Sequence, residues 1–317
     1  MDKILKSKSF RDFFGEVTDF ELLGHGEYNL NYVFYEKSGE KLVLRIPMGS
    51  QMHLENQVRY EYEALRLLEE SGRTPVPIYI DDEHGFLVMK FIEGDTFDYG
   101  MDLEKAAFCL ADIHNHSIPK DNHLIAPKNP FAAVLDECKN MAGVYFSSSL
   151  VTNETKQLLI QLLEMGRQLV ERADISNPKR CLINTELNSG NFLVKGDIAY
   201  LLDWEKPLFA CAGQDLGHFL APTTTLWKTD TVLTEDKIFD FIKVYSNISQ
   251  LHTNPEELLA LTKPYLAINC LRGVTWCSMA WVEYNSPDRV LKDDFTFEKI
   301  KTYITPEFLN RIKNEYF

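Results

Sequence analysis

Short alternations of apolar and polar residues fill the first part of the chain and predict strands joined by turns. Residues 17–47 predict three strands, with turns at 24–27 and 37–39. A helix follows over about 52–71, and two more strands are expected over 78–80 and 85–91. The pattern therefore predicts a five-stranded antiparallel sheet with one helix.

The predicted helix has a carboxylate on its apolar face. Five residues spaced by four, three, four and three share that face: Leu54, Val58, Glu61, Leu65 and Leu68. A buried charge needs a partner, and Arg45 on the third strand is the candidate. Both faces of that strand are apolar, so the direction of Arg45 is not fixed, and a lone strand arginine is usually a surface residue. Glu61 shifts the balance towards an ion pair.

The segment Glu93-Gly94-Asp95 interrupts the strands and marks the predicted boundary between residues 1–94 and 95–317. Segments with helical periodicity follow it, at 102–116, 130–146, 152–174, 235–251, 255–284 and 305–315. The expected class is α+β. A five-stranded sheet with one helix, followed by a mainly helical domain, is the layout of a protein-kinase-like two-lobe fold.

Residues 181–205 predict a β-hairpin inside the helical part. A polar loop at 184–191 leads into apolar runs at 192–194 and 198–202, with a turn at 195–197 between them. Glu186 and Asn191 precede the first strand, and Asp203 and Glu205 follow the second. Antiparallel strands bring these ends together, and their oxygens suit a hard cation such as Mg²⁺. Asn and Asp are also common in turns, but the shared position of Asn191 and Asp203 favours a metal site.

Composition and charge narrow the classes of partner. The chain of 317 residues is large enough for two domains, and its net charge of −14 argues against a nucleic-acid partner. The acidity is even along the chain, which suits solubility and would also suit a cationic acceptor. No stretch of eighteen apolar residues and no signal peptide is visible, so a cytoplasmic protein without membrane spans is expected. The six cysteines form no CxxC pair and are expected to be free thiols.

Several segments together resemble the aminoglycoside phosphotransferase and choline kinase-like family of small-molecule kinases. The similarity covers about residues 17–220 and rests on these features: the turn containing Gly24 and Gly26 with Asn29 after it, LVLRIP with Arg45 at the position of a lysine, Glu61 in YEYEALRLL, the hinge-like FLVMKFIEGDTF, LADIHNH, the hairpin, and Gln214-Asp215-Leu216-Gly217.

This resemblance implies an ATP- and Mg²⁺-dependent phosphotransferase acting on the hydroxyl of an amino alcohol, a sugar or an aminoglycoside-like molecule, with GTP as an alternative donor. It assigns nucleotide binding to Gly24, Gly26, Arg45, Glu61 and the segment from Lys90 to Ile92. It assigns Mg²⁺ to Asn191 and Asp203, and catalysis would consist of positioning and charge neutralisation.

The acceptor side has weaker sequence support. Glu205 is a candidate for orienting the acceptor or a second metal. Trp276 and Trp281, on the helix predicted at 255–284, are candidates for lining an aromatic pocket for an amine. Ordinary helix packing is the favoured explanation for these tryptophans, because aromatic residues dominate protein cores.

The catalytic loop departs from the family pattern. That pattern reads His-Gly-Asp-x-His-x-x-Asn, and this chain has Asn184-Thr185-Glu186-Leu187-Asn188-Ser189-Gly190-Asn191. Glu186 would replace the aspartate that accepts the hydroxyl proton, which moves the carboxylate outward by about 1.5 Å, and about 1 Å of misplacement can cost roughly a hundredfold in rate. A compensating loop shift, a weak enzyme, and a catalytically impaired protein that binds nucleotide or metabolite as a sensor or scaffold all remain open.

Overall fold

The structure is a computed structural model that describes residues 4, 7–17, 19–25, 29–50, 52–173, 179–287 and 293–317. Its chain forms two compact units. Unit 1 contains residues 1–125 and 190–208, and unit 2 contains residues 126–189 and 209–317. The predicted boundary at 94/95 falls inside unit 1, because strand and helix residues after 95 pack with the hairpin segment, as described below.

The predicted antiparallel sheet is present in unit 1. Its five strands are β1 (Glu21–His25), β2 (Asn29–Tyr35), β3 (Lys41–Pro47), β4 (Pro77–Asp81) and β5 (Phe86–Lys90), in the order β1-β2-β3-β5-β4. The central strands β3 and β5 bury both faces, which explains why β3 reads as a continuous apolar run.

Two helices accompany this sheet. Helix α1 (Lys8–Phe14), which the sequence pattern did not predict, buries Phe10 and Phe14 among Phe34 and Phe86 of the sheet. Helix α2 (Gln57–Leu68) begins later than predicted, because Asn56 caps it by accepting a hydrogen bond from the Arg59 amide at 3.0 Å. Leu54 therefore lies outside the helix, whereas the other predicted face residues are buried in it.

A second sheet completes unit 1. It contains β6 (Asp95–Thr96), β8 (Phe192–Lys195) and β9 (Ile198–Leu201) in the order β6-β8-β9, so the predicted hairpin is confirmed. Helix α3 (Leu103–Asn115) packs against β9. These contacts explain why the compact unit extends beyond residue 95.

Unit 2 is mainly helical. Strands β7 (Arg180–Ile183) and β10 (Leu208–Cys211) pair at its edge, and the helices are α4 (Pro130–Phe146), α5 (Asn153–Arg172), α6 (Ala212–Leu220), α7 (Pro222–Lys228), α8 (Glu235–Ile248), α9 (Pro255–Tyr284), α10 (Asp294–Tyr303) and α11 (Pro306–Tyr316). In the described part of the chain, no helix combines the length and hydropathy needed to span a bilayer.

Helix α9 is the centre of unit 2, and α6 approaches it closely at Gly217. A Cβ atom at this position would lie 2.6 Å from the main-chain nitrogen of Leu266 and from the carbonyl carbon of Tyr265. Main-chain atoms cannot move aside as a flexible side chain can, so only glycine fits between the two helices here.

We expect Gly217→Ala to lower the free energy of unfolding by about 1–3 kcal/mol, because the added methyl group overpacks the contact between α6 and α9. Gly143→Ala in α4 is the matched control, since a Cβ there meets nothing within 4 Å and alanine favours the helix by about 0.5–1 kcal/mol. Urea unfolding of both variants measures the difference. A Gly217→Ala protein as stable as Gly143→Ala would contradict the close approach.

Candidate active site

A buried arginine organises the polar residues of unit 1. Nε of Arg45 lies 2.8 Å from Oε1 of Glu61, and its Nη2 donates a hydrogen bond to Oδ1 of Asp203 and lies 3.6 Å from Oε2 of Glu205. We call these four residues the Arg45 centre. Arg45 and Glu61 are 5% and 1% exposed, so the predicted ion pair is buried and the guanidinium faces three carboxylates.

Electrostatics follow from this burial. Burial alone would lower the pKa of Arg45, but Glu61, Asp203 and Glu205 outweigh it and raise that pKa, so the guanidinium stays charged. Burial raises the pKa of Glu61 to about 7. The neighbouring charge of Asp203 also raises this pKa, whereas Arg45 lowers it. The centre therefore carries more negative than positive charge at neutral pH.

Glu205 is fixed by two amide side chains. Nδ2 of Asn29, at the start of β2, donates to Oε2 of Glu205, and Nε2 of Gln57, at the start of α2, donates to the main-chain oxygen of Glu205 at 2.6 Å. Asn29 is 5% exposed and Glu205 9%. The structure thus places Glu205 in the Arg45 centre; its predicted role towards the acceptor or a second metal stays a prediction.

Asn191 and Asp203 both lie at the open end of the hairpin. Phe192 pairs with Leu201, and the Leu202 amide donates to the Asn191 carbonyl oxygen at 2.7 Å, so the two residues extend the same end of the ladder. Asp203 has a φ of 59°, a left-handed conformation that Asp adopts more readily than most residues. The chain changes direction at Asp203, after the end of β9.

The donor set around Asp203 fits one Mg²⁺ ion. Among the described residues, no group of three or more His, Cys, Asp or Glu is arranged to hold a metal by itself. Mg²⁺ usually takes one or two protein carboxylates, with phosphate and water oxygens completing six ligands. Two buried oxygens of the centre or beside it, Oε2 of Glu61 and Oδ1 of Asn29, accept no hydrogen bond within the described structure. Such oxygens, with an excess of negative charge, favour a bound cation.

The predicted catalytic loop lies in unit 2, where Asp215 of α6 holds its backbone. The buried Asp215 carboxylate accepts hydrogen bonds from the amides of Asn184 at 2.8 Å and Thr185 at 2.9 Å, and Oδ1 of Asn184 accepts one from the Glu186 amide at 2.9 Å. Thr185 has a φ of 71°, the region that favours the glycine of the resembled family. Three hydrogen bonds hold the loop in this strained conformation.

The Glu186 side chain is held from α9. Nη2 of Arg272 lies 3.0 Å from Oε1 of Glu186, and the same guanidinium binds Glu137 of α4, with Nε 3.1 Å from Oε2. Burial opposes the charge of Arg272, but Glu137 and Glu186 raise its pKa. This ion pair places the positive charge of Arg272 beside the carboxylate of Glu186, the predicted base.

His218 of α6 lies beside the same loop and forms a hydrogen bond with the Thr185 backbone. Burial lowers the pKa of His218 to about 4, with the Arg272 charge adding to the effect and Glu186 and Asp215 opposing it. The ring is therefore neutral at pH 7.

The other predicted nucleotide residues have mixed surroundings. Gly24 lies on β1, where a side chain would meet nothing within 4 Å, and Gly26 lies outside the described residues. The Lys90 amide donates to the Val76 carbonyl oxygen at 2.9 Å, while its ammonium group pairs with Glu40. Ile92 is half-buried two residues beyond β5. Their predicted roles in nucleotide binding stay predictions.

The predicted acceptor tryptophans pack against other aromatic rings of unit 2. The Trp276 ring meets Trp227 of α7 edge-on at 5.5 Å, and the Trp281 ring stacks on Phe297 of α10 at 5.6 Å. These contacts favour the packing interpretation for both residues, and a role in acceptor binding stays untested.

Sequence reasoning missed four residues of these clusters: Asn29 as the partner of Glu205, Gln57, Glu137 and Arg272. One signal was available for Arg272. It is the only charged residue of the chain between Lys263 and Glu283, inside a long apolar helix, and such a charge requires a buried partner.

Comparisons with known proteins identify the family of the chain. The model of the phosphotransferase enzyme family matches residues 19–239. The chain belongs to this family. No curated protein matches the sequence.

Solved structures of family members share the fold. Choline kinase LicA from Streptococcus pneumoniae is 18% identical, with a TM-score of 0.65 over 98% of this chain and 99% of that one. The ADP-bound aminoglycoside phosphotransferase APH(2'')-Ib is 15% identical, with a TM-score of 0.61 over 96% and 97%. Spectinomycin phosphotransferase APH(9)-Ia, in complex with ADP and spectinomycin, is 14% identical, with a TM-score of 0.64 over 94% and 93%. The predicted protein-kinase-like α+β fold and the predicted family are confirmed.

We expect Asp215→Asn to destabilise this phosphotransferase by about 2–3 kcal/mol, since two buried amides lose their charged acceptor and the new amide group meets one of them donor to donor. Thermal and urea unfolding measure the loss. Asp197→Asn, at the exposed β8–β9 turn, is the control and should unfold like the parent protein. Equal stability of the two variants would argue against Asp215 as the support of the loop.

Stability should also fall in mild acid because of His218. Its folded-state pKa of about 4 lies below its ordinary 6.5, so the unfolded chain binds more protons between these values and stability decreases as the pH falls from about 6.5 to 4. At about 1.4 kcal/mol per pKa unit the loss is roughly 3 kcal/mol at most. Unfolding curves of the parent and His218→Gln proteins across this range should diverge, and parallel curves would contradict the assignment.

Proposed function

We propose that the chain is an ATP- and Mg²⁺-dependent kinase that phosphorylates the hydroxyl group of a small molecule. The Arg45 centre carries this proposal, because it joins a buried cation, the Glu61 carboxylate and Asp203 at the end of the hairpin. Family relatives supply the class of chemistry: their names include choline kinase and aminoglycoside phosphotransferase, and two of them contain ADP.

In the proposed reaction Arg45 binds the nucleotide phosphates, with Glu61 holding its guanidinium. Asn191 and Asp203 would hold Mg²⁺, which neutralises charge on the phosphates when bound. Glu186 accepts the proton of the acceptor hydroxyl, the oxygen forms a bond to the γ-phosphorus, and the bond from that phosphorus to the β–γ bridging oxygen breaks, so that ADP leaves. The proton, the phosphoryl group and the leaving group are all accounted for.

The acceptor class that fits best is a small alcohol with a cationic group. Arg272 pairs with two carboxylates, Glu186 and Glu137, so this cluster carries one more negative than positive charge when all three groups are ionised. The chain as a whole carries a net charge of −14. Both features favour an amine over an anion in the acceptor.

One observation favours a second function, that of a kinase-like protein that binds nucleotide without turnover. Glu186 stands in place of the aspartate of the family pattern, and Nη2 of Arg272 donates a hydrogen bond to Oε1 of Glu186. An ion-paired carboxylate is a weaker base than an unpaired one. In this alternative the Arg45 centre still binds nucleotide, but Glu186 does not accept the proton of an acceptor hydroxyl.

The test is ADP release with ATP, Mg²⁺ and a panel of amino alcohols, sugars and aminoglycosides. We expect turnover with at least one acceptor and a loss of about 10²–10⁴-fold in Glu186→Gln because the base is removed. Asp203→Asn should lower the rate and raise the Mg²⁺ concentration needed for the half-maximal rate, because a carboxylate ligand is lost. The exposed Asp197→Asn variant should keep full activity. ADP release no faster than that of Glu186→Gln with every acceptor, together with an ATP-induced rise in the unfolding temperature, would establish the binding-only alternative.

A further inference from the structure

A residue 86 positions away in the sequence binds the carboxylate of Glu186. Nη2 of Arg272 lies 3.0 Å from Oε1 of Glu186. Nε and Nη2 of the same guanidinium lie 3.1 and 3.3 Å from the two oxygens of Glu137. The planar guanidinium therefore binds Glu137 through two contacts and Glu186 through one, a geometry that lysine cannot reproduce.

Burial gives this triad more weight than a surface salt bridge has. The side chains of Arg272, Glu186 and Glu137 are 13%, 22% and 33% exposed. Water screens this cluster less than it screens a fully exposed ion pair, and removing one partner would leave a partly buried charge without its counter-charge. Arg272 is thus constrained to stay with its two carboxylates.

Arg272 itself has little freedom to move. A Cβ atom on the adjacent Gly273 would lie 2.7 Å from Cβ of Thr223, so α9 is in close contact with α7 at this point. Glu137 reaches the guanidinium from α4, which packs along α9. The arginine is therefore presented to Glu186 by a rigid surface.

The remaining freedom of Glu186 lies in its side chain. Asn184 fixes its amide, and Asp215 fixes the two preceding amides. A glutamate has one more rotatable bond than an aspartate, and ordering it costs conformational entropy. The contact with Arg272 selects one orientation of that longer side chain.

We propose that Arg272, anchored by Glu137, is a positioning residue that holds the Glu186 carboxylate ionised and in a fixed orientation, and thereby compensates for the extra methylene group of a glutamate at the catalytic-base position. The catalytic part of this inference rests on the proposed function. In the described part of the chain, the titratable or charged groups at the loop include Arg272, Glu137, Asp215 and the neutral His218. Of these, Arg272 is the cation that favours the ionised form of Glu186.

The test compares Arg272→Gln, Arg272→Lys and Glu137→Gln with the parent protein. The control is Arg167→Gln, which removes an exposed arginine that pairs with Glu164 in α5. The measurements on each protein are kcat, KM for ATP, the pH–rate profile and the temperature of unfolding. A second measurement needs no turnover: the carboxyl carbons of ¹³Cδ-labelled glutamates are titrated by NMR, and Glu186→Gln identifies the Glu186 signal.

We expect Arg272→Gln to lower kcat about 10- to 100-fold with little change in KM for ATP. The acidic limb of its pH–rate profile and its Glu186 titration midpoint should both move up by about one pH unit or more. Arg272→Lys should recover the charge effect but not the full kcat, because an ammonium group lacks the two-pronged geometry. Glu137→Gln should fall between the parent and Arg272→Gln, and Arg167→Gln should match the parent.

An unchanged Glu186 titration midpoint in both Arg272 variants would overturn the inference, as would an Arg272→Gln protein with the parent kcat and profile. If Arg272→Gln does not fold, Arg272→Lys and Glu137→Gln decide by the same measurements. Absence of turnover in the parent protein, by contrast, would remove the proposed function and the catalytic part of this inference. A Glu186 titration midpoint that still moves in Arg272→Gln would then support Arg272 only as the residue that holds Glu186 ionised.

Discussion

The buried positive charge of Arg45 is the constraint on which unit 1 depends. A guanidinium cannot lose its proton at physiological pH, so folding must bring anions to it. Glu61 comes from α2, and Asp203 and Glu205 come from the residues after β9. The end of the hairpin, the start of α2 and the third strand are thereby tied to one point. Three carboxylates around one cation leave an excess of negative charge, which a divalent ion would complement.

Unit 2 follows the same principle with a different arginine. Arg272 takes Glu137 and Glu186 as partners, while the uncharged polar residues of the loop are held by Asp215. The departures of the predicted catalytic loop from the family pattern are therefore linked to α6 and α9, which contact it, and through Arg272 to α4. A glutamate in place of an aspartate, and a threonine in place of a glycine, are accommodated because independent contacts fix both the backbone and the side chain.

Much of the fold could be predicted from periodicity. Helices such as α5, α8 and α11 bury one stripe and show a clear helical period, whereas β3, β5 and α9 are buried on more than one face and show continuous apolar runs. The short helix α6 could not be predicted. Its sequence, AGQDLGHFL, contains two glycines and has only nine residues, so it shows little helical preference and is too short for its period to be recognised.

The candidate site was predictable where the partners are close in sequence or lie on regular elements. Glu61 was identifiable because a carboxylate on an apolar stripe requires a cation. The partners of Glu186 were not, since Arg272 is 86 residues away and Glu137 is 135 residues from Arg272. No local pattern reports which helices meet in the folded chain. Only the isolated charge within α9 pointed to a buried partner.

The arginine at position 45 also changes how the proposed phosphate site can be studied. A lysine at such a position carries an amine that electrophilic nucleotide analogues can acylate, whereas a guanidinium stays protonated and is a poor nucleophile. Amine-directed covalent probes aimed at the phosphates would find no amine on Arg45. Reversible nucleotide binding is therefore the suitable measure of occupancy, and chemical labelling by such probes would understate it.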